Sequence, residues 1–146
     1  MIDNPYLFFV SRKSTWFVFE SEGVLGKIPK LVAFEPDQEN RWNVGFGDLK
    51  RGVADDRAIS NNGDIARVLN TVAKIIREFF AEHPNAILQI KPVDEKRKRL
   101  YNLIFQRHLE AVSLEFQIKG LREGAFEAYS PYEFYDSFEI SLIVET

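Results

Sequence analysis

The chain has 146 residues and is 45% hydrophobic, which is enough apolar material for one domain to build a core without staples. It contains no cysteine, which excludes disulfides, thiolate zinc sites, iron–sulfur clusters and cysteine nucleophiles. The formal net charge of −3 argues mildly against general attraction to the phosphates of nucleic acid. The stretch from Met1 to Pro5 lacks the features of a secretory signal, and no apolar run is long enough to span a membrane. We therefore expect a cytoplasmic protein without a membrane partner.

The first third of the chain predicts strands. Residues 7–10 and 15–21 are rich in β-branched and aromatic types, residues 27–35 place apolar side chains on one face, and residues 36–40 predict a polar hairpin loop. In the next strand, large side chains alternate with Asn43, Gly45 and Gly47. Glycines on one strand face favour close approach by another backbone or a ligand.

Residues 48–63 are polar and without periodicity, so they predict a long connecting loop. An amphipathic helix follows from Asp64 to His83, with side-chain oxygens of residues 60–64 available to cap its first turn and Pro84 ending it. His83 then lies near the negative end of the helix dipole, where a structural role is expected.

A short apolar strand is predicted over residues 86–90 and a second helix from Asp94 to about Glu110. That helix places Arg97 and His108 in its apolar arc, where Arg97 is expected to pair with a buried carboxylate and His108 to have a structural role. A strand over 113–118 should complete a right-handed parallel strand-helix-strand unit. A turn over 120–124, an aromatic loop over 126–138 and a last strand over 138–145 follow.

The predicted fold class is α+β, with a mixed, mainly antiparallel sheet and two helices packed on it, in the order meander-α-β-α-β-β. We expect residues 1–146 to form a single domain.

Three groups of residues are candidates for function. A ligand site is predicted around the glycine and acid loop, with the alternative that these residues serve turns and caps. Its candidate residues are Gly45, Gly47, Asp48, Ser60, Asn61, Asn62, Gly63, Asp64, Arg97 and Tyr101.

The second group is basic, and it predicts either a solvated helix face or a surface for nucleic acid. Its members are Lys91, Lys98, Arg99 and Arg107. The third group is the aromatic loop, which predicts a surface for a protein partner or a homodimer, or side chains folded onto the sheet. Its members are Tyr129, Tyr132, Phe134 and Tyr135.

Four segments together resemble, in order and spacing, a small bacterial domain family of unknown function. They are Gly45 to Asp48, Ser60 to Asp64, Pro84 to Ala86 and Arg97 to Tyr101. The resemblance covers roughly residues 16–143, implies that family's fold and supplies no activity. The order of elements is also similar to the latter part of the GNAT acetyltransferase fold. That similarity implies an acetyl-CoA site at the turn over residues 57–64 and a general acid at Tyr101.

Three functions follow. The leading hypothesis is a non-catalytic protein-binding domain that uses the aromatic loop or the bare face near Gly45 and Gly47. The alternatives are a GNAT-like acyltransferase domain and a nucleic-acid-binding protein. We expect no metal and no resident cofactor, since neither histidine has the sequence context of a metal or nucleophile site.

Overall fold

The computed structural model describes residues 4–50, 53–55, 62–112 and 115–143. Its elements, in chain order, are β1 (Phe8–Val10), β2 (Trp16–Gly23), β3 (Gly26–Pro36), β4 (Arg41–Lys50), β5 (Val53–Asp55), α1 (Ile65–Glu82), β6 (Ile87–Ile90), α2 (Glu95–Val112), β7 (Phe116–Arg122), β8 (Ala125–Ala128) and β9 (Ser137–Leu142). Two helices accompany a mixed, mostly antiparallel set of strands, so the predicted α+β class is confirmed.

The chain divides into two compact units. The first comprises Met1–Glu35 and Val44–Pro84, and the second comprises Pro36–Asn43 and Asn85–Thr146. Strand β4 contributes its first three residues to the second unit and the remainder to the first. The expectation of a single domain stays a prediction.

In the first unit, β1, β2 and β3 are successive antiparallel neighbours. Their register aligns Phe9 with Val18 and Val18 with Leu31. Because side chains alternate between the two faces of a strand, Phe17, Phe19, Val32 and Phe34 point to the opposite face from these three. All four of those side chains are buried.

Helix α1 covers that buried face. The apolar positions of α1 recur at helical spacing, and Ile75 and Phe79 are fully buried. The ring of Phe34 stacks on that of Phe79 with centroids 4.2 Å apart. Burying each such side chain contributes about 1.5–3 kcal/mol, so the core of the first unit lies between α1 and one face of the sheet.

In the second unit, the start of β4 pairs in parallel with β6, and β6 pairs antiparallel with β9. Strand β9 pairs antiparallel with β7, which carries β8 on its other side. Strands β6 and β7 are therefore parallel to each other, as predicted. They are not neighbours, because β9 lies between them and splits the strand-helix-strand unit.

Two predicted loops contain strands. Strand β4 continues through Asp48 to Lys50 and turns back into β5, so the stretch after Gly47 is not a structureless connection. Strand β8 occupies the start of the predicted aromatic loop. Strands β5 and β8 are short and lack clean alternation, which is why the sequence pattern did not predict them.

The core of the second unit is aromatic. Tyr135 and Phe138 are fully buried, and the ring of Phe105 from α2 lies 4.4 Å from that of Phe138. A Cβ on Gly120 would lie 2.2 Å from the ring of Tyr135, so only glycine fits beneath it. Neither helix, within the residues described, is long and apolar enough to cross a membrane.

Candidate functional site

The turn before α1 is fastened to the β2–β3 hairpin. The side chain of Asn62 accepts a hydrogen bond from the Leu25 amide at 2.5 Å and donates to the Gly26 carbonyl at 2.8 Å and to Ser21 Oγ at 3.1 Å. The backbone carbonyl of Asn62 accepts a hydrogen bond from the Val24 amide at 3.0 Å. Asn62 is only 2% exposed, so its polar atoms are used internally. Gly63 supplies the positive φ of 78° that the turn needs.

Asp64 does not cap α1 as predicted. Its side chain makes no capping hydrogen bond and instead accepts from the hydroxyls of Tyr6 and Ser21, each at 2.6 Å. Burial of Tyr6, followed by its hydrogen bond to Asp64, raises the pKa of the Tyr6 hydroxyl. The Asp64 carboxylate therefore bonds to two hydroxyl groups outside the helix and not to the amides of the first helical turn. Ser60 and Asn61 lie outside the described residues.

Asp48 forms a buried ion pair. Its carboxylate accepts a hydrogen bond from Lys30 Nζ, and both side chains are almost fully buried. Removing one member of such a pair costs about 3–5 kcal/mol because the other charge is left buried, so a structural role explains both residues. By strand alternation, Gly45 and Gly47 belong to the opposite face of the sheet from Asp48. No cluster of acidic or histidine side chains suited to a metal occurs in the part of the chain that the structure describes.

The sheet face opposite α1 remains open. We call the set formed by Phe9, Trp16, Val18, Leu31 and Ala33 the open face. Phe9 is 79% exposed and Trp16 is 47% exposed, whereas the α1-facing phenylalanines and Val32 of β2 and β3 are at most 2% exposed. Val18, Leu31 and Ala33 beside them are half-buried. Large apolar side chains exposed on a sheet face are typical of a contact surface.

The ends of the open face differ in charge. At the β2–β3 end, Lys27 Nζ lies 3.9 Å from a carboxylate oxygen of Glu20 and 3.9 Å from one of Glu22. At the β1–β2 end, Arg12 and Lys13 occupy an exposed turn. Neither has an ion-pair partner within residues 4–50, 53–55, 62–112 and 115–143.

Arg97 and Tyr101 lie on α2 in the second unit. Asp94 accepts from the Arg97 amide at 2.8 Å, so it caps α2 as predicted, and this bond is the largest cause of the lowered pKa of Asp94. Arg97 is 6% exposed, and its guanidinium donates to the same carboxylate at 2.7 Å. The prediction that Arg97 pairs with a buried carboxylate is therefore wrong, because the side chain of Asp94 is 45% exposed. Tyr101 is half-buried one helical turn further on.

The aromatic loop is divided between core and surface. Tyr135 belongs to the core, and the side chain of Asn102 holds it by accepting from its amide and donating to its carbonyl, each at 2.8 Å. Tyr135 is therefore not part of an accessible surface, and Tyr129 is half-buried against it. Tyr132 and Phe134 remain exposed, at 93% and 48%.

The basic residues of the second unit do not act alike. Lys98 Nζ lies 2.5 Å from the Asp136 carboxylate, and the hydrogen bond between them raises the pKa of Lys98. The same ammonium group lies over the ring of Phe134. Its charge is thus balanced locally. Lys91, Arg99 and Arg107 are exposed.

Comparison with known protein families gives one result. The model of a family of unknown function, DUF6934, matches residues 3–143. The chain belongs to the DUF6934 family. The resemblance to an uncharacterised domain family is thereby confirmed. A search of curated proteins and a search of solved structures each found no match.

In this DUF6934 member, the open face was missed from the sequence although a signal was present. A strand with one buried face normally alternates apolar and polar residues. In β2, the buried Phe17 and Phe19 alternate with Trp16 and Val18, which are also apolar. Apolar residues on both faces of a strand near the sheet edge predict a second contact surface.

Proposed function

We propose that this protein is a non-catalytic protein-binding domain and that a partner protein docks on the open face. The supporting observation is the exposure of Phe9 and Trp16 on the side of the sheet that α1 does not cover. Tryptophan in a binding surface supplies a large share of the affinity, because it buries much apolar area with few rotatable bonds. Gly45 is half-buried and Gly47 is buried, so the exposed apolar side chains rather than these glycines carry the proposal.

The aromatic loop is the weaker surface of the two. It offers two exposed aromatic side chains, and one of them, Phe134, already lies beneath Lys98. The open face combines residues from three neighbouring strands, so its geometry is fixed by the sheet. A rigid surface loses less conformational entropy on binding than a loop does.

The test is a comparison of captured proteins between variants. The full chain, Phe9→Ser and Trp16→Ser would each be immobilised and exposed to native lysate, with Tyr132→Ser as the matched control on the aromatic loop. We expect a defined partner on the full chain and on Tyr132→Ser that is depleted about tenfold or more on the other two, the loss of one hot-spot side chain. Identical captures on all four proteins, or no reproducible partner, would contradict the proposal.

The acyltransferase and nucleic-acid hypotheses stay predictions. The Asp64 carboxylate already accepts hydrogen bonds from two hydroxyl groups, which does not favour a cofactor phosphate at the turn before α1. Lys98 is paired with Asp136, which leaves Lys91, Arg99 and Arg107 for an anionic partner.

A further inference from the structure

We propose that the segment recognised is an extended peptide strand with alternating apolar side chains and an acidic end, which pairs with the free edge of β1. This inference rests on the proposed function and adds to it the class of ligand, its direction of approach and its charge. Three features of the first unit carry it: the edge of β1, the apolar side chains along that edge, and the basic turn at its end.

The outer edge of β1 pairs with no other strand in the part of the chain that the structure describes. In the hydrogen-bonded order of strands, β1 is terminal and pairs with β2 alone among the described strands. The Ser11 amide donates to the Trp16 carbonyl at 3.0 Å, which makes these two residues a hydrogen-bonded pair. Antiparallel pairs alternate, so Phe9 bonds to Val18, and the amides and carbonyls of Phe8 and Val10 face away from β2. Such outward groups are a template for another strand.

Apolar side chains line the same edge. Phe9 is 79% exposed, and Leu7, two residues earlier and on the same side by alternation, is 93% exposed. A strand added beside β1 would place every second side chain on the same face of the sheet as Phe9, which would extend the open face by one row. Cross-strand apolar pairs of this kind would stabilise the added strand.

The turn after β1 sets the charge of the ligand. The Ser14 amide donates to the Ser11 carbonyl, and the Thr15 amide donates to Ser11 Oγ, both at 3.0 Å. This closed turn presents Arg12 and Lys13 at the end of the edge strand, where the described residues offer them no carboxylate. An acidic residue at the matching end of the peptide would pair with these two cations.

The unpaired backbone decides between a peptide and a membrane. Aromatic and basic side chains together also suit an anionic lipid surface. A lipid surface, however, offers no row of alternating donors and acceptors to Phe8 and Val10, whereas a strand does. A peptide therefore satisfies all three features, and a membrane satisfies two.

The probe is a set of short random peptides displayed on phage, selected on the full chain. We expect selected peptides to alternate apolar residues and to carry Asp or Glu at one end. A synthetic copy of the selected sequence, labelled with a fluorophore, then gives affinities by fluorescence anisotropy. Selection of no peptide, or of peptides without an acidic end, would overturn the proposal.

Two variant pairs test the geometry. Val10→Pro removes an outward amide without breaking a bond to β2, and Val10→Ala is its matched control because it keeps that amide. We expect Val10→Pro to weaken binding about tenfold, as the loss of one backbone hydrogen bond predicts. Reversing both Arg12 and Lys13 to Glu should weaken binding and reverse the sign of its salt dependence, because the attraction becomes a repulsion that salt screens, while Lys96→Glu on α2 should do neither. Circular dichroism melts would show that each variant is folded.

The remaining outcomes separate this inference from the proposed function. Binding that is lost in Trp16→Ser but unchanged in Val10→Pro would leave the open face as a docking site and overturn strand addition. A dimer that Val10→Pro dissociates in analytical ultracentrifugation would make a second copy the occupant and overturn the acidic peptide. Binding to phosphatidylserine vesicles that depends on Arg12 and Lys13 but not on Val10 would favour the membrane instead.

Discussion

Replacing Asn62 with alanine tests whether the turn before α1 is structural. The side chain makes three hydrogen bonds to the β2–β3 hairpin, to the Leu25 amide, the Gly26 carbonyl and Ser21 Oγ. Each contributes about 0.5–1.5 kcal/mol net, so the variant should lose about 3 kcal/mol of unfolding free energy. A chain of this size loses about 3 °C of melting temperature per kcal/mol, which predicts a fall of about 9 °C.

The assay is urea or thermal unfolding of Asn62→Ala beside Asn85→Ala. Asn85 is exposed and its side chain makes no hydrogen bond to any residue that the structure describes, so its variant should stay within about 0.5 kcal/mol of the natural sequence. Equal stability of the two variants would refute the reasoning. It would mean that the polar atoms of Asn62 are not fastened to the hairpin and are available to a ligand.

Three further predictions concern buried side chains. Gly120→Ala should destabilise the protein by about 2 kcal/mol or more, because its Cβ would overlap the buried Tyr135 ring. Gly124→Ala has open space around its Cβ and should lose only about 1 kcal/mol, through its positive φ. Chemical denaturation would compare the two variants. The raised pKa of Tyr6 contributes stability that is present below about pH 10.0 and is lost as pH rises through the folded-state value, so Tyr6→Phe should flatten the fall of unfolding free energy in alkaline titrations. Asn102→Ala should cost about 2–4 kcal/mol and speed amide exchange across residues 129–136, and unchanged exchange there would show that this side chain does not hold the loop.

Local patterns predicted the elements that depend on local physics. Helix α1 follows from apolar residues at helical spacing, and the ends of both helices lie within two residues of the prediction because Pro84 and Asp94 act through backbone geometry and capping. The turn at Asn62 and Gly63 was predicted as turn chemistry or a ligand site, and its residues could not choose between the two. The choice depends on the hairpin that lies against it, which is far away in sequence.

The roles of single polar side chains depended on partners that no pattern reveals. Asp64 has the position of a helix cap, yet it bonds to Tyr6 and Ser21, which lie 58 and 43 residues away in the chain. Lys30 was predicted only as a strand residue and Asp48 as a candidate ligand residue, and the two form a buried ion pair. Tyr135 was predicted either as a contact residue or as a side chain folded onto the sheet, and it lies in the core.

By itself, the sequence determined the α+β class, the two helices and most strands, because periodicity, capping and proline act within a few residues of the chain. Only the tertiary structure decided the order of the strands and the side of the sheet that α1 covers. Those features depend on pairing between distant segments, and they alone leave Phe9 of β1 and Trp16 of β2 in solvent while Phe17 and Phe19, on the other face of β2, form the core.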